Sequence, residues 1–126
     1  MSEDKTFQSN WANSLQLSGV IAQKPLFQTI KTKSGKEIER ATFILAQPNY
    51  IDRTGKDYVK RIYCCTYSKK AIEVLKSIER QVVVTCLGMI SVSATKSGVN
   101  YYPHIEEVRL TEVLRTKLEP NKSKGD

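Results

Sequence analysis

Between Asn13 and Ala22, Leu15, Leu17, Gly19 and Ile21 alternate with polar or small neighbours, which is the two-residue period of a half-buried strand. Gly19 within this run predicts a bend, a bulge or a close backbone crossing. Pro25 interrupts the pattern, and two extended runs follow around Ser34-Gly35, predicting a hairpin with Lys31, Lys33 and Lys36 near its tip. In the second run Ile38, Thr42, Ile44 and Ala46 share one parity and Ala41, Phe43 and Leu45 the other, so this strand is expected to be covered on both sides. The next stretch gathers Pro48, Asn49, Asp52, Thr54 and Gly55, marking a loop or a second hairpin tip.

From Tyr58 to Tyr67 the alternation resumes with two unlike faces. Ile62, Cys64 and Thr66 make a small apolar face, while Arg61, Tyr63, Cys65 and Tyr67 make an aromatic and cationic one. At Ser68 the period becomes helical. Ala71, Ile72, Leu75 and Ile78 recur on one side, Ser68 stands where an N-cap belongs, and Lys69, Lys70, Glu73 and Lys76 point outward. Residues 81–95 return to strand periodicity, Lys96-Ser97-Gly98 turns the chain, and Tyr101 to Val113 forms a last strand. After residue 114 the sequence becomes polar and is expected to fray beyond Pro120.

This order predicts a mainly β chain: an OB-fold, a five-stranded, partly open Greek-key barrel with one α-helix between strands 3 and 4. The expected division is an N-terminal extension over 1–12, a barrel over 13–114 and a short polar tail over 115–126. With 126 residues the chain can bury roughly two-thirds of its unfolded surface, enough for a core without disulfide or metal. The polar, acidic start and the absence of a long apolar run in the sequence imply a cytoplasmic protein with no membrane partner.

Charge adds a partner. Twenty Lys and Arg against thirteen Asp and Glu leave +7, and the excess is concentrated in residues 24–61, which carry nine basic and four acidic groups. Such a footprint suits a polyanion such as nucleic acid, although solvated lysines alone would give the same total. Cys64, Cys65 and Cys86 lack the spacing of a zinc site and lie far from His104 in sequence, so they read as reduced, buried filler. No phosphate loop or nucleophile-base set is present in the sequence. Glu106 and Glu107 are strand neighbours expected to face opposite sides. No catalytic residue, metal or cofactor is expected.

The residues from Asn13 to about Leu114 resemble the bacterial single-stranded DNA-binding protein family. The resemblance rests on "LSGVIA", "ATFILAQ", "YSKKAIEVL", "VVVTCLGMI" and "YYPHIEEVRLTEV", in that order. It implies sequence-independent binding of single-stranded DNA by aromatic stacking and by Lys and Arg contacts to phosphate, in replication, recombination or transfer. Tyr67 and Tyr50 correspond to family stacking aromatics, and Tyr63 shares the face of Tyr67. Candidate phosphate contacts are Lys31, Lys33, Lys36, Lys60, Lys69, Lys70 and Lys96. Tyr101 and Tyr102 point to opposite faces, so one of them at most meets DNA, and Tyr101 is included in the site. Duplex DNA and RNA stand as weaker partners, and a homo-oligomer is expected from the family. An OB-fold factor for replication restart or protein assembly, or an RNA-binding module, is the alternative reading.

Three departures qualify the resemblance. Two family aromatics fall on Arg61 and Thr95; a guanidinium can lie flat on a base and bind phosphate, whereas Thr95 cannot stack. The sequence ends in "PNKSKGD" instead of an acidic, hydrophobic tip, so recruitment of replication proteins by such a tip is not expected, as in a dedicated binder of a plasmid, phage or other mobile element. The N-terminal extension holds Phe7 and Trp11, which could dock on a neighbouring subunit, stack on a base or cover the barrel's own edge.

Overall fold

The computed structural model describes residues 12–51 and 53–121; Phe7 and Trp11 lie outside them, as do the side chains of Tyr50 and Thr95. The chain forms β1 (Leu15–Ile21), β2 (Leu26–Lys31), β3 (Glu37–Ile51), β4 (Asp57–Thr66), α1 (Lys69–Lys76), β5 (Arg80–Thr95) and β6 (Gly98–Lys117). The strand order is β1-β5-β6-β4-β3-β2, with an added β1–β3 pairing. β1 and β2 are the two halves of one barrel strand, broken around Pro25, so the architecture is the predicted OB-fold with its helix after the third barrel strand.

Two contacts close the ring. β4 runs parallel to β6 through Cys65↔His104 and Thr66↔Ile105, and Val20 of β1 pairs with Ala46 of β3. The second contact needs Gly19, where an added Cβ would stand 2.9 Å from the carbonyl oxygen of Ala46. At Gly88 the approach is closer still, since a Cβ there would lie 2.0 Å from the carbonyl oxygen of His104.

Inside the ring, Ile21, Leu45, Val82, Val84 and Ile105 are fully buried, and Ile72 and Leu75 of α1 plug the open end. Each such side chain contributes about 1.5–3 kcal/mol through its removal from water. The helix begins as the sequence indicates: Ala71 N–H donates to the Ser68 hydroxyl at 3.3 Å, and Ser68 N–H donates to Thr66 Oγ1 at 3.1 Å. Cys64 and Cys86 fill small spaces in the core, and burial pushes both thiols up to about 12.

Several local readings change. Among the described side chains of β3, Ala41, Phe43 and Leu45 are buried; Thr42, Ile44 and Ala46 are half-buried, and Thr42 and Ile44 border a groove instead of a second core. β3 and β4 extend into a longer hairpin arm, with a register shift between Gln47 and Tyr50 that absorbs Pro48. On β6, Glu107 opposes Leu87 while Ile105 opposes Gly88, leaving Glu106 as the extra residue of a bulge. The bulge resets the alternation, so Ile105 and Val108 both face the core. Glu106 and Glu107 consequently border one depression rather than opposite sides.

β6 also runs past residue 114, to Lys117, and Leu118 packs on the core. Glu119 N–H then donates to Ala22 at 2.8 Å, Lys24 N–H donates to Glu119 at 2.9 Å, and Asn121 Nδ2 donates to the Lys24 carbonyl at 3.1 Å. The chain through Asn121 is thereby tied to the connection between β1 and β2.

Candidate nucleic-acid interface

One face of β4 presents Arg61, Tyr63 and Cys65 in alternate positions, followed by Tyr67 just beyond the strand. Pairing with β3 sets Ala46 beside Arg61, Ile44 beside Tyr63 and Thr42 beside Cys65. Tyr63 is 64% exposed and Tyr67 36%, high values for rings on a sheet face. The Tyr67 ring leans against His104, with centroids 5.6 Å apart. This contact limits the ring's freedom before any ligand arrives and so reduces the entropy lost on binding.

Tyr63 and Tyr67 overlook a groove of about 500 Å³. It is lined also by Thr42 and Ile44 of β3, by Tyr102 and Ser93 of the β5–β6 arm, and by Gln23, Lys24 and Asn121. Lys24 and Arg40 supply positive charge, and none of the lining residues is acidic. The Arg40 guanidinium donates through Nη2 to Gln28 Oε1 at 2.6 Å, while its Nε is buried without a partner. The guanidinium lines the groove, so its charge is available to an anion such as a phosphate. Burial raises the Cys65 thiol, and Arg40 partly opposes that shift.

On the other side of Tyr67 lies a second depression, beside α1. Lys36, Lys69 and Lys76 line it, and so do Glu37, Glu39 and Glu73. Lys76 Nζ sits 2.6 Å from Glu39 Oε2 and 5.6 Å from the Phe27 ring centroid, so its charge is already engaged within the protein. The two depressions share Tyr67 and differ in charge balance.

The remaining sequence candidates are dispersed. Lys31 and Lys33 are exposed around the β2–β3 turn, and Lys96 is exposed at the β5–β6 turn. Lys60 is exposed on β4, on the parity opposite to Arg61, and pairs with Gln47. Lys70 borders the depression of Glu106 and Glu107, where the Arg109 guanidinium, 2.6 Å from Glu107, holds that carboxyl below the usual range. Arg61 is exposed one step along the strand from Tyr63, beyond the groove lining. Tyr50 opposes Tyr58 in the β3–β4 ladder. Of the tyrosine pair, Tyr102 lines the groove, whereas Tyr101 stands 71% exposed on the other face of the β5–β6 arm.

Arg40, Lys24, Gln23 and Asn121 line the groove without having been singled out from sequence. Arg40 shares the parity of Thr42 and Ile44, so the alternation itself could have found it. Lys24 and Asn121 carry no local signal, because their meeting depends on the end of the chain docking on the β1–β2 connection. Among the described residues no group of three His, Cys, Asp or Glu side chains is placed to hold a metal ion, and no helix is long and apolar enough to cross a membrane.

No protein-family model and no curated protein sequence matches the chain. Solved structures do. The SSB of Plasmodium falciparum in its complex with ssDNA superimposes with a TM-score of 0.60 at 16% identity, covering 82% of this chain and 97% of that one. The protein priB from Ralstonia solanacearum gives a TM-score of 0.53 at 18% identity, covering 80% of this chain and 100% of that one. The chain has their fold. At such identities the likeness is one of architecture, and the site stands on its own geometry.

Proposed function

We propose that this chain binds single-stranded DNA in the acid-free groove between β4 and the β5–β6 arm, largely independently of sequence. The observation that carries the reading is the placement of Tyr63 on β4 and Tyr67 just beyond its end, both exposed and on either side of Cys65, above a groove whose charged lining residues are Lys24 and Arg40. Unpaired bases offer flat faces that stack on such rings, whereas a duplex keeps them stacked internally. Phosphates meet Arg40, Lys24 and the exposed Arg61. The architecture shared with the Plasmodium SSB, solved with ssDNA, supports the same reading.

Two rings supply stacking of about 1–3 kcal/mol per base, and the remaining affinity comes from charge. Binding therefore weakens steeply with salt. The role is to cover and protect unpaired DNA during replication, recombination or transfer, in the cytoplasm and as a homo-oligomer, without an enzymatic step. The test is a competition among equal lengths of single-stranded DNA, duplex DNA and RNA at two salt concentrations. Preference for the unpaired DNA strand that survives the higher salt supports the reading; equal binding to all three at low salt, lost together at high salt, would reduce the groove to a nonspecific basic surface.

A further inference from the structure

β4 and β6 meet along two rungs and then part. Their parallel ladder consists of Cys65↔His104 and Thr66↔Ile105, while β4 continues beside β3 as far as Asp57 and β6 continues beside β5 as far as Gly98. The junction is the base of a fork whose prongs are the β3–β4 and β5–β6 arms. Tyr63 stands two residues before Cys65, and Tyr102 stands two residues before His104. No register shift falls in either interval, and alternate residues of a strand share a face. Both rings therefore lie on the face of the Cys65–His104 rung, one on each prong.

On the closed side of that rung the aromatic groups already meet, since Tyr67 leans on His104 with centroids 5.6 Å apart. On the open side they do not. Among the described residues neither Tyr63 nor Tyr102 touches another ring, although both line the groove of about 500 Å³. Paired strands lie about 4.8 Å apart. A base held between two rings needs about 7 Å, twice the roughly 3.4 Å spacing of stacked bases. No rung joins β4 to β6 at Tyr63 and Tyr102, so nothing holds the prongs at the ladder spacing there.

We propose that Tyr102 is the second jaw of a slot, in which one unpaired base enters between it and Tyr63. This inference rests on the DNA-binding reading of the groove and adds a residue and a mode to it: insertion between two arms in place of stacking on a single platform. A base that enters the slot must leave both its pairing partner and its neighbours in the stack. The fork thus selects unpaired DNA by shape as well as by charge.

The test is a double-mutant cycle on Tyr63→Ala, Tyr102→Ala and the two combined, read by anisotropy with a labelled single-stranded oligonucleotide. Circular dichroism checks that each variant is folded, and Tyr102→Leu, which keeps apolar bulk, replaces Tyr102→Ala if that variant is not. Removing the Tyr102 ring should weaken binding by about 5- to 150-fold, as for one lost stack, and Tyr102→Phe should bind nearly as well as the unaltered chain. The double variant should lose clearly less than the product of the two single losses, because both rings hold the same base. Full affinity without the Tyr102 ring, beside a loss in Tyr63→Ala, overturns the slot and leaves the groove reading intact. Single losses that multiply in the double variant also overturn the slot, in favour of two separate platforms. Failure of the unaltered chain to bind the oligonucleotide overturns both readings.

Discussion

The two depressions that meet at Tyr67 differ in charge balance, one positive and the other near neutral. Toward the β5–β6 arm the lining holds Lys24 and Arg40 without a carboxylate; toward α1, Lys36, Lys69 and Lys76 are matched by Glu37, Glu39 and Glu73. Counting lysines would favour the second. What matters for a polyanion is the charge left after internal pairing, and the Lys76–Glu39 bridge shows that charge being used within the protein. The stacking rings divide in the same way, since Tyr63 and Tyr102 belong to the first groove alone. A strand of nucleic acid is thus expected in the first groove, with Tyr67 at its margin.

The most severe way to break this contrast is to remove both rings of β4. Tyr63→Ala with Tyr67→Ala should cost about 1–3 kcal/mol per lost stack, so roughly 5- to 150-fold for each ring. Anisotropy titration with a labelled oligonucleotide measures it, and unchanged affinity removes both tyrosines from the site. Next in size is Gly88→Ala. Its Cβ would collide with the His104 carbonyl, and the strain should destabilise the fold by about 1–3 kcal/mol, read as a lower Tm. Because His104 supports the Tyr67 ring, affinity should fall as well.

Charge changes come next and sharpen the comparison directly. Arg40→Gln should lower affinity by about 1 kcal/mol or somewhat more, as expected for a hydrogen bond to a charged group, and reduce the salt slope by about 0.7 if it contacts one phosphate. In the second depression Glu39→Gln releases Lys76 from its exposed bridge, and only a few tenths of a kcal/mol are at stake. A clear gain of affinity in Glu39→Gln, with affinity unchanged in Arg40→Gln, would reverse the assignment of the two grooves.

The thiols give a further check on which side of β4 is core. Cys64 and Cys86, raised by burial to about 12, keep their protons in the folded state while an unfolded thiol ionises near 9.0. The folded chain then holds more protons than the unfolded one above pH 9, so stability falls as pH climbs from about 9 toward 12 and is unaffected by these groups below that range. At pH 8 a thiol reagent should modify Cys65, on the groove side, faster than the other two; rapid reaction of Cys64 would place that face of β4 in solvent.

Much of this was legible in the chain, because period-two alternation, a helical interlude and glycine turns are local signals. The aromatic-cationic face of β4 and the Ser68 cap were visible for that reason, and the fold followed from the element order. What escaped was non-local or parity-breaking. The Glu106 bulge turned two neighbours onto one side, Tyr102 displaced Tyr101 from the groove, and the docking of Glu119 and Asn121 on the β1–β2 connection brought Lys24 into its lining. A sequence also shows charges while concealing which are already paired, as Lys76 is with Glu39.

The most direct test of the central claim compares unpaired and duplex DNA of equal length on the unaltered chain and on the Tyr63→Ala/Tyr67→Ala variant, at one moderate salt concentration. The account predicts a clear preference for the unpaired strand that collapses in the variant while weak duplex binding persists. Equal affinity for both forms in the unaltered chain, or a preference untouched by removal of the two rings, would contradict it.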